Sequence, residues 1–215
     1  MAFTIKWGQV ASKHRQLITL LLIIVFILSV IGFPILVSAK NWVQDSIACG
    51  LLKDHLLKKR ILEVLNQTDL KLGDARTIAG ILIKESRKHD IPISIFLAIM
   101  KKESDFNVCA LSPVNAMGIM QIHPLTWDAY ARKLNLTVSR RHAFDPVLNI
   151  KVAAALISDL KDRYLKKGYN ENILWDYILS AYYAGGESLK KGLKKNHLYY
   201  VKKVREYEQE MKIII

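Results

Sequence analysis

The sequence predicts an all-α domain behind one N-terminal apolar helix, and three observations carry that prediction. Apolar residues recur at three- and four-residue spacing almost everywhere after Asn41, which is the period of a helix face. No apolar–polar alternation bounded by turn pairs interrupts the pattern, and neither an internal repeat nor a low-complexity tract does so. Ahead of it, the stretch from Gln16 to Ala39 contains no charged residue.

Taken in order, Leu17 to Val37 reads LITLLLIIVFILSVIGFPILV, long enough as a helix to cross roughly 30 Å of hydrocarbon. Lys6, Lys13 and Arg15 precede this run, whereas Lys40 and Asp45 follow it without cationic excess. The positive-inside bias therefore keeps the N-terminus cytoplasmic and sends the remainder outward. Val37-Ser38-Ala39 has the small residues of a cleavage site, but the run exceeds the usual signal core of about 7–15 residues, which favours an uncleaved anchor. Cys49 as a lipoprotein cysteine is disfavoured by the polar Lys40, Asn41, Gln44 and Asp45 that separate it from the run. The expected organisation is a cytoplasmic stub and membrane or signal segment over 1–39, a helical lead-in over 40–73, and a main helical domain over 74–215.

Beyond the anchor, Ile47, Leu51, Leu52, Leu56, Ile61 and Leu65 mark a helix over Val43 to Leu65. Asp74 is a good N-cap for a second helix ending near Lys88, and Asp90-Ile91-Pro92 breaks it. Ser94 caps a third, Ile95 to Glu103, which is apolar nearly all round and is expected in the middle of the fold. Asp105 to Asn115 reads as loop, with a short helix starting near Met117. Pro124 and Asp145-Pro146 open further helices ending near Leu134 and Leu165, and Glu171 to Ala184 and Leu198 to Met211 supply the last two.

The formal net charge of +13 lies outside the apolar run, so the domain is drawn to anionic partners, wall polymer or lipid headgroups for an exported chain. Nucleic acid is not expected as a partner: there are no zinc-knuckle cysteines or RRM aromatics, and the lysines are scattered in pairs. No cofactor motif occurs, and no metal-ligand spacing surrounds His123. Cys49 and Cys109 are the only cysteines, able to pair in an oxidising compartment or to remain free.

Glu103 follows Phe96, Ile99 and Met100 at helical spacing, so its carboxylate shares an apolar face and points away from Lys101. Desolvation and the negative end of the helix dipole both disfavour the charged form, the environment a general acid needs. Glu85 sits in a matching Lys-Glu-Ser triplet on an equally apolar face, but Arg87, Lys88 and His89 follow it, the setting of an ion pair.

Glu103-Ser104, Phe106, Ser112-Pro113, Ala116, Gly118-Ile119-Met120-Gln121-Ile122 and Pro124 resemble the glutamate–serine and G-L-M-Q motifs of soluble-type lytic transglycosylases. The likeness continues through Phe144-Asp145-Pro146, Asn149-Ile150, Ala181-Tyr182, Ala184-Gly185 and Tyr200-Val201, and spans roughly Ile78 to Tyr207. Several ordered motifs are far more specific than one. The resemblance implies a lysozyme-like helical fold and cleavage of the β-1,4 bond between N-acetylmuramic acid and N-acetylglucosamine in peptidoglycan.

By the same resemblance Glu103 is the single catalytic acid and base. It protonates the leaving oxygen, then takes a proton from the muramic 6-hydroxyl, which closes on C1 as a 1,6-anhydro ring. An ordinary glycosidase needs a second carboxylate to activate water or attack the sugar; here the substrate supplies the nucleophile. Ser112, Met120, Gln121 and Tyr182 are the implied substrate-binding residues, although Met120 also reads as core wall and Ser112 as a turn cap.

Four positions depart from the family pattern: Asn115 and Ala153 stand where glycines are usual, Leu156 where tyrosine is common, and Tyr183 where asparagine follows the tyrosine. The implied setting is the bacterial envelope, with a periplasmic domain anchored in the inner membrane or secreted after cleavage, and a secretion, conjugation or division machine as partner. A goose-type lysozyme-like hydrolase and a weakly catalytic wall-binding scaffold are the alternatives.

Overall fold

The computed structural model describes residues 19–21, 25–26 and 33–214. Much of the Leu17–Val37 run lies outside the described residues, and among these no helix is long and apolar enough to cross a membrane. The chain divides into two compact units, Met1–Lys53 and Asp54–Ile215. The first contributes the opening part of a long helix, α1 (Phe33–Leu65); the second holds the core.

In the second unit α2 (Leu72–His89), α3 (Ile93–Ser104), α4 (Pro124–Lys133), α5 (Pro146–Lys166), α6 (Glu171–Ala184) and α7 (Lys195–Ile214) follow, with short 3-10 turns at Arg140–Phe144 and Gly186–Lys191. The helices predicted from Asp74 onward are therefore present with shifted ends, save the short one expected near Met117. Lys71 rather than Asp74 occupies the N-cap of α2, which leaves Asp74 in the first turn, where its charge meets the positive end of the helix dipole. Pro92 caps α3 and Ser94 is drawn inside its first turn, because proline's fixed φ and missing N–H suit a helix start. Asp145 does cap α5, accepting from the N–H groups of Val147 and Leu148 at 2.8 and 3.1 Å.

The expected short helix at Met117 is absent. Met117 instead forms isolated antiparallel bridges with Leu111 and Ile122, exchanging two 3.0 Å backbone hydrogen bonds with Ile122 around a Gly118–Gln121 turn. Gly118 and Gln121 have φ of +75° and +48°, left-handed values that end any helix there. A Cβ on Gly118 would lie 2.3 Å from the Ala143 carbonyl oxygen, so this loop packs backbone against backbone.

Every residue from Ser94 to Met100 is buried. α3 packs chiefly on α7, α2 on α5, α5 on α6, and α6 on α7. This all-round burial fits the apolar sequence of α3, and it fixes the C-terminal end of that helix as a rigid support.

Candidate active site

α3 ends abruptly. Asp105 and Phe106 both adopt left-handed backbone, with φ of +51° and +64°, and reverse the chain directly after Ser104. Left-handed backbone is costly for a bulky aromatic. Burial of the Phe106 side chain and a 3.4 Å hydrogen bond from its N–H to the Met100 carbonyl accompany it here. The turn leaves Glu103 in the half-buried last turn of a helix that is otherwise largely buried.

Glu103 is half-buried and lines a cavity of about 270 Å3 together with Ser112, Gln121, Leu156, Tyr182 and Tyr183. The cavity therefore gathers Glu103, Ser112, Gln121 and Tyr182, four of the five residues expected at the site. Among the described residues lining it, Glu103 is the one carboxylate. A second cavity of about 570 Å3 shares His123, Thr126, Leu156, Tyr182 and Tyr183 with the first, so the two form one continuous cleft.

Burial pushes the Glu103 carboxyl above its usual range, against opposing pulls from the Tyr200 hydroxyl and the Lys102 charge. Tyr200 donates a 2.6 Å hydrogen bond to Oε1 of Glu103. Its ring is almost fully buried, with the Lys102 ammonium 5.6 Å from the centroid. The carboxyl is thus held in one place by a rigid donor while its surroundings favour the protonated form.

Ser104 fastens the G-I-M-Q loop to α3 by donating to the Ile119 carbonyl at 2.7 Å. Tyr182 reaches over from α6 and donates to the Met120 carbonyl at 2.6 Å. Asn149 pins the loop from α5: its Oδ1 accepts from the Met120 N–H at 2.8 Å, and its Nδ2 donates to the Met117 and Ala143 carbonyls at 3.0 and 2.8 Å. Asn149 is fully buried, so each of these bonds answers a group that water cannot reach.

Met120 corrects the sequence expectation. Its side chain is fully buried in the core and does not line the cavity; its backbone, bonded to Tyr182 and Asn149, is what serves the site. The apolar thioether follows the hydrophobic core, and the loop's left-handed turns aim the polar Gln121 at the cavity instead. Gln121 spends its Nε2 on the carbonyls of Ala110 and Gly118, at 3.0 and 2.9 Å. Its amide oxygen is the acceptor left over. Ser112 Oγ accepts from the Ala116 N–H at 3.0 Å, which leaves its hydroxyl proton to donate.

The competing acid, Glu85, is buried elsewhere, with His89 Nε2 at 3.4 Å and Lys88 Nζ at 3.9 Å. Of the three neighbours expected to pair with it, Lys88 and His89 do lie beside it, whereas Arg87 turns to Asp54. Asn115, in a glycine-like position, has φ of +61°, a value asparagine tolerates. Cys49 and Cys109 are exposed and free. No group of side chains suited to a metal ion occurs among the described residues.

Sequence reasoning missed Tyr200 and Asn149 as site residues. The available signals were a tyrosine four residues before Val204 on an apolar stripe, where a buried hydroxyl needs a partner, and an asparagine inside Val147-Leu148-Asn149-Ile150. Neither signal names the partner.

Residues 80–203 match the Transglycosylase SLT domain family. The membrane-bound lytic murein transglycosylase C of Mannheimia succiniciproducens is 31% identical over 157 residues, covering 66% of this chain and 43% of that protein. The protein of the same name from Histophilus somni is 34% identical over 114 residues, 52% of this chain and 31% of its own length. The chain thus spans about two fifths or less of the length of these curated relatives. Among solved structures, the 70 kDa soluble lytic transglycosylase of Escherichia coli aligns with a TM-score of 0.53 at 25% identity, over 62% of this chain and 24% of that one. A complex of the 70 kDa soluble lytic transglycosylase with bulgecin A aligns with a TM-score of 0.55 at 24% identity, over 81% and 28%; this second likeness shows the fold alone. With its matched segment running from α2 into α7 and enclosing the whole cleft around Glu103, the chain belongs to the transglycosylase SLT domain family.

Proposed function

We propose that the chain is a peptidoglycan lytic transglycosylase that breaks the β-1,4 bond between N-acetylmuramic acid and N-acetylglucosamine without water. The observation that carries this reading is a single carboxyl, Glu103, in a cleft where no second acid lines the wall among the described residues. Two-carboxylate hydrolysis has no partner for it there. The names of the curated relatives support the same chemistry.

In the reaction Glu103 begins protonated, which its desolvated setting favours. It gives its proton to the glycosidic oxygen as the bond from that oxygen to the muramic C1 breaks. The resulting carboxylate takes the proton of the muramic C6 hydroxyl as O6 bonds to C1. Glu103 ends protonated again, and the product carries a 1,6-anhydro ring. The hydrogen bond from Tyr200 is strongest to the ionised carboxylate, so it stabilises the intermediate stage. The free hydroxyl proton of Ser112, the amide oxygen of Gln121 and the Tyr182 oxygen are the groups offered to the glycan.

In this reading residues 1–39 form a cytoplasmic stub and an inner-membrane anchor, 40–73 a lead-in, and 74–215 the catalytic domain, which works in the periplasm on the wall. The uncharged Leu17–Val37 run and the preceding Lys6, Lys13 and Arg15 support this orientation. Local opening of the wall for a secretion, conjugation or division complex is the role that suits such a tethered domain.

The test is digestion of purified peptidoglycan with the 215-residue chain and mass spectrometry of the products. Muropeptides ending in 1,6-anhydromuramic acid are expected, lost in Glu103→Gln and retained in Glu85→Gln. Reducing ends would make it a hydrolase, and no products from the folded chain would leave a wall-binding scaffold.

A further inference from the structure

The cleft contains an aromatic surface that the acid–base chemistry leaves unused. Tyr183, at the end of α6, is 48% exposed, the most solvent-open tyrosine of the cleft. Its ring lies nearly parallel to that of Tyr200, with centroids 4.7 Å apart and an interplanar angle of 18°. The edge of His197 braces the pair at 6.4 Å and 72°. One face of Tyr183 is therefore occupied by a buried ring, and its remaining surface borders both cavities.

An exposed tyrosine on a surface ordinarily rotates freely. This one is fixed, because Tyr200 beneath it is itself anchored by burial and by its 2.6 Å hydrogen bond to Glu103. Its partner on both cavity walls is Leu156, an apolar side chain. A flat, pre-ordered aromatic plate beside an aliphatic one offers no hydrogen-bond code but a large contact area. The C–H face of a pyranose ring is the part of a glycan that matches such a plate, whereas its hydroxyls match the polar groups of Ser112, Gln121 and Tyr182.

We propose that Tyr183 is a specificity-determining sugar platform, stacking a pyranose ring of the glycan in the part of the cleft shared by the two cavities. This rests on the reading of the cleft as a glycan site. Because the plate is joined through Tyr200 to Glu103, a sugar seated on it is registered against the acid by a continuous set of contacts. Tyr183 contributes binding, and the chemistry remains with Glu103.

The test uses the 215-residue chain carrying Glu103→Gln, so that binding is measured without turnover, with the tetramer of β-1,4-linked N-acetylglucosamine as probe in calorimetric titration. Tyr183→Phe keeps the plate and should bind within about twofold of its parent. Tyr183→Ala and Tyr183→Asn should bind roughly 3- to 10-fold more weakly, the scale of one aromatic contact. In the catalytically intact chain the same two substitutions should raise KM for solubilised glycan strands while kcat stays within about twofold and the products are unaltered. Thermal melts identify any variant that has lost its fold; should Tyr183→Ala be lost, folded Tyr183→Asn carries the comparison.

Unchanged affinity in folded Tyr183→Ala would overturn the proposal, as would a fall in kcat at constant KM, which would make Tyr183 a support for Tyr200 only. Absence of binding by the Tyr183-containing chain would overturn it too. Failure of the transglycosylase reading is seen separately, in the product ends released by the unsubstituted chain.

Discussion

Asn149→Asp isolates the device that holds the site loop. The substitution preserves shape and keeps the oxygen that accepts from the Met120 N–H, but it replaces Nδ2 with a second oxygen facing the carbonyls of Met117 and Ala143, now 3.0 and 2.8 Å away as hydrogen-bond acceptors. Two donated bonds worth about 0.5–1.5 kcal/mol each are lost. A carboxyl at a fully buried position adds either an unpaired charge or the cost of protonation, on the order of a few kcal/mol. The sum is a loss of roughly 3–5 kcal/mol at pH 7; Asn149→Ala removes all three bonds, about 0.5–1.5 kcal/mol each, without introducing a buried carboxyl. The sign with pH follows from linkage. Burial raises the introduced acid's folded-state pKa above its unfolded value, so the charge penalty is full above the folded value, falls as pH drops from there toward the unfolded value of about 3.9, and is gone below it. Urea denaturation of the variant and parent from pH 4 to 8 reads this directly. A difference below about 1 kcal/mol at pH 7, or one independent of pH, would refute the assignment of Asn149 as the buried anchor of the loop.

Other consequences follow from the same geometry. Glu103→Gln should lower turnover by at least about 10²-fold with stability equal or higher at pH 8. Because burial holds the Glu103 carboxyl above its ordinary 4.5, its stability cost appears as pH rises through the folded value and is absent below pH 4.5; melts of the two chains that diverge toward acid pH would contradict this. Tyr200→Phe removes the 2.6 Å hydrogen bond to Oε1, costing the ionised carboxylate about 1.5–3 kcal/mol. Turnover should fall roughly 10- to 100-fold and the alkaline limb of the pH–rate profile should move upward, and an unmoved limb would rule Tyr200 out as the positioning donor. Gly118→Ala would place a methyl 2.3 Å from the Ala143 carbonyl oxygen and 2.6 Å from Asn149 Nδ2 at a φ of +75°, with an expected loss of about 2–4 kcal/mol by denaturation. A loss under about 1 kcal/mol would mean the loop is not packed as described.

The helix inventory was legible because its signals are local. Asp145-Pro146 starts α5 wherever the chain goes, and the unbroken apolar run of α3 can only be a buried helix in a domain this size. The Met117 helix failed for the converse reason. Its residues are compatible with helix, but Gly118 and Gln121 take left-handed backbone in a loop that Asn149 pins through the Met120 N–H and that packs closely against the Ala143 carbonyl, and tertiary contact overrides local preference. Pro92 and Lys71 stand as caps in place of Ser94 and Asp74, shifting each helix start by two or three residues.

By itself the sequence determined the helical class, the apolar face under Glu103, and the ion-pair neighbours that set Glu85 apart, since each depends on residues within a turn or two. Only the tertiary structure decided that Tyr200, 97 residues further on, would supply the hydroxyl on Glu103, that Met120 would offer its backbone rather than its side chain, and that Tyr183 would lie flat on Tyr200 at the edge of the cleft. Periodicity records which side of a helix is buried, but the partner across the interface is fixed by how helices pack, and that information is spread over the whole chain.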